Sequence, residues 1–355
     1  MSLVAVVKTS PPTFNDDVKR VMELAEFANV LDAEKKTVIK LNLSWSKFFP
    51  SCSTHPYTFN GVVKTLIDSG YSNQDLIATE NRTVVTNITK GIQANRWAST
   101  LEKYKVPFLP LTRAKWVEVQ PKRKTYVLER MFGPITIPEV VLDSNILQLP
   151  TIKTHGHTFM TGALKNAFGL LLQKLRHHAH PVIHEILVDL LLIQKEFCAN
   201  LFCVTDGTII GDGPGPRTMI PKTGNLLLAS ADMVGIDTVQ SEIMGIDPFK
   251  VKKLVYAQKR ELGVMDPAKI ELVGDYSSHD KLPVTKTSTG RSPVIYFDQK
   301  FRSGIFAPLF HTSLMNIPIL ASLIYHDYFW YPLIGKGYVK EFLERSEWGE
   351  LFQQF

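Results

Sequence analysis

The sequence is poor in the residues that usually make a chain easy to classify. Three cysteines in 355 residues, Cys52, Cys198 and Cys203, form no CxxC pair and no metal spacing or disulfide framework. We therefore expect a reduced, intracellular (cytoplasmic) chain in which Cys198 and Cys203 of "FCANLFCVTD" serve as small core hydrophobes. No Walker pattern and no GxGxxG occurs, so a nucleotide site has no support. Excess charge is modest too. A net charge of +6 suits anionic small molecules or an acidic membrane surface, and falls short of a nucleic-acid footprint. The densest basic run, Lys122 to Lys124 followed by Arg130, reads as a solvated turn, and no aromatic-plus-basic platform accompanies it. The start, "MSLVAVVKTS", lacks the pattern of a secretory signal and reads as a first strand.

What is present is a regular alternation of strand and helix. "SLVAVVK" and "KTVIKLNL" read as buried strands flanking the amphipathic "NDDVKRVMELAEFANV". "TFNGVVKTLIDSGY" reads as a helix ending near Gly70, then "DLIATEN" as a strand, and "VVLDSNILQLP" leads into another. "AFGLLLQKLR" and "HPVIHEILVDLLLIQKEF" read as helices. "ANLFCVTDG" is a strand expected to end near Asp206, and "NLLLASADMVGIDTVQSEIMG" is a strand followed by a helix capped by Asp232. Such an order predicts an α/β fold, a mostly parallel sheet covered by helices on both faces, with ligands beyond the carboxyl ends of the strands. We divide the chain into an α/β core, residues 1–290, and a C-terminal apolar and aromatic extension, residues 291–355, that packs on the core or covers the site. Residues 304–335 carry one carboxylate, Asp327, and no Lys or Arg. The uncharged run from Ile305 to Tyr325 is long enough to span a bilayer, but Pro308, His311, Asn316 and Pro318 argue against a simple span. An appendage on the core is the leading expectation, with peripheral membrane contact through residues 304–335 as the rival.

Chemistry concentrates in "PTIKTHGHTFMTGALKNAFG", residues 150–169. Six of the ten histidines fall between positions 155 and 184: His155, His157, His177, His178, His180 and His184. Imidazoles ligate iron, zinc, nickel or copper, and also serve as general bases near neutral pH. His155 and His157 alternate by two, so on an extended segment they point the same way. Glu185, Asp189, Asp206 and Asp212 are the carboxylates that sequence proximity offers to such a set. The "RHHAHPVIH" histidines read instead as helix-entry residues, with Pro181 at the first helical position. Lys153 and Lys165 bracket the motif and suit a carboxylate or phosphate, or a base if burial lowers the pKa. "TGALKNAFG" puts small residues at a helix start, where backbone N–H groups attract an anion. "VTDGTIIGDGPGPR", residues 204–217, reads as a glycine-rich loop that brings amides, Asp206 or Asp212 to a ligand. Asp237 reads as structural.

The strings "VIKLNLS", "LQLPTIKTHGHTFMTGALKNAFGLL", "VTDGTIIGDGPGPR" and "LLLASADMVGIDTVQSEIMG" resemble, in that order, the domain-of-unknown-function family numbered 362, over roughly residues 1–275. The resemblance implies site positions Lys40, Asn42, Lys153, His155, Lys165, Asn166, Asp206, Asp212 and Gly213. This chain has Leu41 where members usually have proline, and it lacks the CxxCxxC repeats of their ferredoxin-type module, so no iron–sulfur cluster is expected. A looser similarity to the nickel-pincer lactate racemases rests on His155, "TGALK" and Gly169.

These readings combine into one expectation, an enzyme of small-molecule metabolism or biosynthesis acting on an anionic substrate. His155, Lys153 and Lys165 are the catalytic candidates. Lys40, Asn42, Asn166, Asp212, Gly213 and Arg217 would bind the substrate, with the Asp206–Arg217 segment as the opposite wall. His155, His157 and Asp206 would hold a mononuclear metal if one is used. The rival is a protein that binds a metal, cofactor or lipid-like ligand without turnover.

Overall fold

In a computed structural model the described residues are 1–83, 86–172, 176–277 and 316–355, with positions 280, 282–288, 290, 296 and 300. β1 (Ser2–Lys8) is followed by α1 (Phe14–Leu24) and the single turn α2 (Phe27–Val30), which lead to β2 (Thr37–Lys40). α3 (Pro56–Asp68) returns the chain to β3 (Leu76–Glu80), and α4 (Ile88–Ala94) with α5 (Trp97–Tyr104) returns it to β4 (Phe108–Pro110). β5 (Trp116–Glu118) and β6 (Thr136–Pro138) form a small separate sheet around α6 (Leu128–Phe132) before β7 (Asn145–Gln148) rejoins the main one. Then come β8 (Thr151–His155), β9 (Phe159–Met160), α7 (Ala163–Leu171) and α8 (Ile183–Phe197). β10 (Asn200–Asp212), β11 (Ile220–Ser230), α9 (Met233–Ile243), α10 (Lys252–Lys259) and β12 (Ile270–Gly274) complete the core.

The sheet runs β12-β1-β11-β10-β7-β2-β3-β4. β11 is antiparallel to both neighbours and the other pairs on that path are parallel. Successive strand residues point to opposite faces, and here both faces are apolar. Ala5, Val7, Ile39 and Leu147 join the core under α1 and α3, while Val4 and Val6 join the core under α7, α8 and α9. Val38 and Ile146 join a third cluster with α6, α7 and α8. The fold is therefore α/β, a mostly parallel sheet sandwiched by helices.

Two features of this topology create a site. From β2 the chain builds outwards to β3 and β4, and from β7 it builds the other way to β10. The adjacent carboxyl ends of β2 and β7 are thus a switch point, where open α/β sheets bind ligands. Second, β10 outruns its neighbour. It pairs with β7 through Cys203 and then with β8, at Asp206 and again at Gly211, while its register against β11 shifts after Gly207. This corrects the expectation of a loop from Asp206, because the strand continues to Asp212. Its glycines serve close approach within the sheet; a Cβ on Gly211 would stand 2.8 Å from Ser51 Oγ and 2.9 Å from Lys153 Cβ.

The C-terminal segment comprises α11 (Asn316–Ile324), a stretch with i→i+5 helical winding (Tyr325–Gly335), α12 (Lys336–Arg345) and α13 (Glu347–Gln353). Phe342, Trp348 and Phe352 enter the α1/α3 core, and Phe48 stacks on Phe352 at 4.0 Å between ring centres. Trp330 and Tyr331 pack on Trp45. Among the described residues no helix is long and apolar enough to cross a membrane. The part of the uncharged run up to Met315, including Pro308 and His311, lies outside the described residues.

Asp237 shows how tightly the site's scaffold is fixed. Its carboxylate accepts the N–H groups of Ala163 (2.6 Å) and Leu164 (3.4 Å) at the start of α7, and pairs with Lys253 at 2.9 Å with both side chains fully buried. The helix start that the sequence offers to an external anion is thus occupied by the protein's own carboxylate, which corrects that reading. Removing one partner of a buried pair strands the other charge, at roughly 3–5 kcal/mol. We expect Asp237→Ala to lower unfolding stability by about that amount in urea titration, and Asp237→Leu combined with Lys253→Met to recover most of it. A single-variant loss under about 1 kcal/mol would contradict the pairing.

Candidate functional site

Five of the residues singled out by sequence meet at the switch point, chiefly through one another. Lys40, at the end of β2, is 1% exposed and pairs with Glu80, at the end of β3, at 2.8 Å. Glu80 also accepts the N–H groups of Leu43 and Asn81. Lys40 crosses α7 at Gly169, where a Cβ would come within 3.1 Å of its Nζ. Asn166 on α7 donates to the Lys40 carbonyl (3.2 Å) and accepts from Asn42 (3.3 Å), and Asn42 in turn accepts from Lys153. The charge of Lys40 is answered by Glu80 inside the protein.

Lys153 lies on β8 with Thr151 and His155, on the face turned to the loop after β2. It is fully buried and donates to Asn42 Oδ1, to the Cys52 carbonyl (2.8 Å) and to Thr151 Oγ1 (2.7 Å). All three ammonium protons are used on neutral acceptors. Burial pushes its pKa down to about 8, against the opposing pull of Cys52 and Glu80. With its donors committed, Lys153 supplies positive charge and holds Asn42; the geometry gives it no free lone pair for a base.

His155 ends β8, and residues 156–158 form a turn. The period-two argument for His155 and His157 therefore fails, since it requires continued extended backbone. Their rings nevertheless stand 5.9 Å apart, and His157 stacks on His180 at 4.5 Å. The His157 backbone N–H donates to His155 Nδ1 (3.2 Å), so that nitrogen carries no proton. Burial, followed by Lys165, His157, His180 and Lys153, holds the His155 pKa well below the ordinary imidazole range. His155 is thus neutral near pH 7, with Nε2 protonated as its outward donor. Lys165 completes the group from α7, its Nζ 4.6 Å from the Phe168 ring centre.

The other candidates go elsewhere. Asp206 is fully buried and accepts from His55 (2.8 Å), Thr58 (2.5 Å) and Thr208 (2.7 Å), which keep its pKa low despite burial. It is spent on the loop after β2, not on His155 or His157, and the set His155, His157, Asp206 is corrected accordingly. Among the described residues no three His, Cys, Asp or Glu groups converge as for a metal. Asp212 pairs with Lys222 (2.6 Å) and accepts the Ser288 N–H (2.5 Å). Gly213 has φ +98° and its carbonyl accepts from Thr154 (2.7 Å), so the 213–216 turn packs against the end of β8. Arg217 lies beyond Cys52, whose thiol donates to the Pro216 carbonyl, and it reaches Ser322 of α11 at 3.1 Å. It belongs under the C-terminal extension, not beside Lys165. Asp189 accepts three successive N–H groups, Tyr126 to Leu128 (2.7–3.0 Å), and is likewise structural.

Sequence reasoning missed Glu80 and His180. Glu80 was legible in principle: a lysine buried at one strand end needs a carboxylate, and "IATE" ends the neighbouring strand. His180 was set aside as helix entry, and only the fold of Arg176–Val182 over the Gly156 turn brings it to His157. His178 is also half-buried in that segment, while the side chain of His177 lies outside the described residues. His184 departs from both readings by accepting the Lys253 backbone N–H (3.2 Å).

A family profile described as "Domain of unknown function (DUF362)" matches residues 37–242. The chain belongs to this family. It is also 29% identical, over 161 residues, to the thylakoid-associated protein sll1697 of Synechocystis sp., a match covering 43% of this chain and 48% of that one. The chain thus spans about half the length of the curated relative it matches.

Three histidines should make stability depend on pH. Burial, as the leading cause, lowers His184 to about 4, His326 to about 3, and His155 well below its usual value. Each is neutral when folded and takes up a proton when unfolded below about pH 6.5. Stability from these groups is complete above that pH and falls as pH drops from 7 to 5, by up to about 1.4 kcal/mol per unit for each. Urea midpoints at pH 7, 6 and 5 should decline, and the His155 ring protons should show no NMR titration between pH 5 and 8. A His155 midpoint near 6.5 would contradict its burial.

Proposed function

We propose that this protein is an enzyme acting on a small anionic metabolite at the carboxyl ends of β2 and β7. One observation carries the reading: the rings of His155, His157 and His180 lie in succession, 5.9 Å and 4.5 Å between neighbouring centres, with the Lys165 and Lys153 ammonium groups opposing protonation of His155. A carboxylate or phosphate entering there would meet imidazole and ammonium donors. His155, neutral and protonated on Nε2, would donate a hydrogen bond to an oxygen of the substrate and stabilise negative charge that develops there, keeping its proton throughout. Lys153 and the Asn42–Asn166 pair would hold the positive field and the loop in register. A mononuclear metal is a cofactor candidate through His155 and His157, since neutral imidazoles suit iron, zinc, nickel or copper.

The engagement of all three Lys153 protons favours a second reading, retention of the ligand without turnover. We also place this activity at or near a membrane surface, a location supported by the name of the thylakoid-associated relative and by the uncharged C-terminal segment.

Incubation of the purified protein with a cell metabolite extract, followed by mass spectrometry, should show consumption of an anionic compound. His155→Ala should abolish it, and Lys165→Ala combined with His157→Gln should weaken it at least tenfold. Equal consumption by His155→Ala would sink the assignment; a compound retained but unchanged would favour the second reading. Elemental analysis of the same samples should show whether a near-stoichiometric metal disappears in His155→Ala, His157→Ala.

A further inference from the structure

The i→i+5 winding of Tyr325–Gly335 sorts its side chains into two rows. In such a segment residues four or five apart share a face. His326, Trp330, Tyr331 and Gly335 form the inner row: His326 is 5% exposed, its ring 6.4 Å from Trp45, and Tyr331 meets Trp45 edge-on at 5.1 Å. Asp327 is also turned inward, accepting from Trp45 Nε1 at 2.6 Å. The outer row is Ile324, Tyr328, Phe329, Leu333 and Ile334, and the ordinary helical spacing of α11 extends it through Leu320 to Ile317. These seven side chains are 40–78% exposed. Elsewhere on the described surface large exposed hydrophobics occur singly; here they form one ridge, which marks a contact site.

We infer that this ridge docks on a lipid bilayer containing anionic headgroups. The proposal rests on the membrane location given above and assigns the surface responsible. Charge selects the occupant. From residue 316 to residue 340 the sequence has one carboxylate, Asp327, which is held by Trp45, against Lys336 and Lys340, the latter 4.0 Å from Glu344. Lys47 stands 4.9 Å from the Tyr331 ring centre, beside the inner row, and Lys336 is exposed just past the end of the ridge. An uncharged ridge bearing Tyr and Phe, with Lys47 and Lys336 beside it, has the character of a helix lying in the interface, its apolar side chains among the acyl chains and its cations at the headgroups. The link from Arg217 to Ser322 fixes α11 to the turn beside β8, so docking would set the site close to the membrane.

The test is flotation of the full-length protein with vesicles of phosphatidylcholine alone and with one-third phosphatidylglycerol. We expect binding to the mixed vesicles at least tenfold above phosphatidylcholine alone. Tyr328→Ser, Phe329→Ser, Leu333→Ser should lose it while keeping the wild-type circular dichroism, and Lys47→Gln, Lys336→Gln should weaken it and flatten its salt dependence. Folded wild-type protein that floats with neither vesicle overturns the proposal. So does a dimer in gel filtration that the triple serine variant converts to monomer without any effect on flotation, since a second copy then covers the ridge. If the protein fractionates with membranes in cells but the triple variant does so equally, the location stands and this surface falls.

Discussion

A lysine ammonium taken out of water must recover either a carboxylate or a full set of acceptors, and this structure is built around three such groups. Lys40, Lys153 and Lys253 are almost wholly inaccessible. Each solves the problem by tying together segments distant in sequence. Lys40 joins β2 to β3 through Glu80; Lys153 joins β8 to the loop after β2; Lys253 joins α10 to α9 and, through Asp237, to the start of α7. Packing alone would bring these elements near one another. The ammonium groups fix them in one register.

The three differ in what remains after pairing. Lys40 and Lys253 face carboxylates and leave no net charge. Lys153 has only neutral hydrogen-bond acceptors, and its charge joins that of Lys165 in opposing protonation of His155. Two of the three ammonium groups are thus answered by a carboxylate and the third by a cage of neutral oxygens, and burial makes the neutral form of His155 the stable one.

The fold was legible because strands buried on both faces announce themselves as short β-branched runs, and "SLVAVVK", "TVIK" and "NILQ" are such runs. The extent of β10 was not, since Gly207 and Gly211 look like loop residues unless the approach of β8 is known. At the site, "KTHGH" and "ALKN" marked the right place. What the sequence could not convey is how the polar groups are shared. Asp206 and Asp212 look like ligands until His55 and Lys222 are seen to occupy them, and Arg217 looks like a substrate clamp until the turn at 213–216 carries it away from Lys165. Partner choice among buried polar groups is a long-range property, and local pattern carries no record of it.

The overhang of β10 has a further consequence. Lys153 meets that strand at Gly211, past the irregularity after Gly207, whereas Lys40 and Glu80 end β2 and β3 on the other side of β7. The two halves of the site are thus carried by different parts of the sheet, and the bonds from Lys153 to Asn42 and to the Cys52 carbonyl span the distance between them.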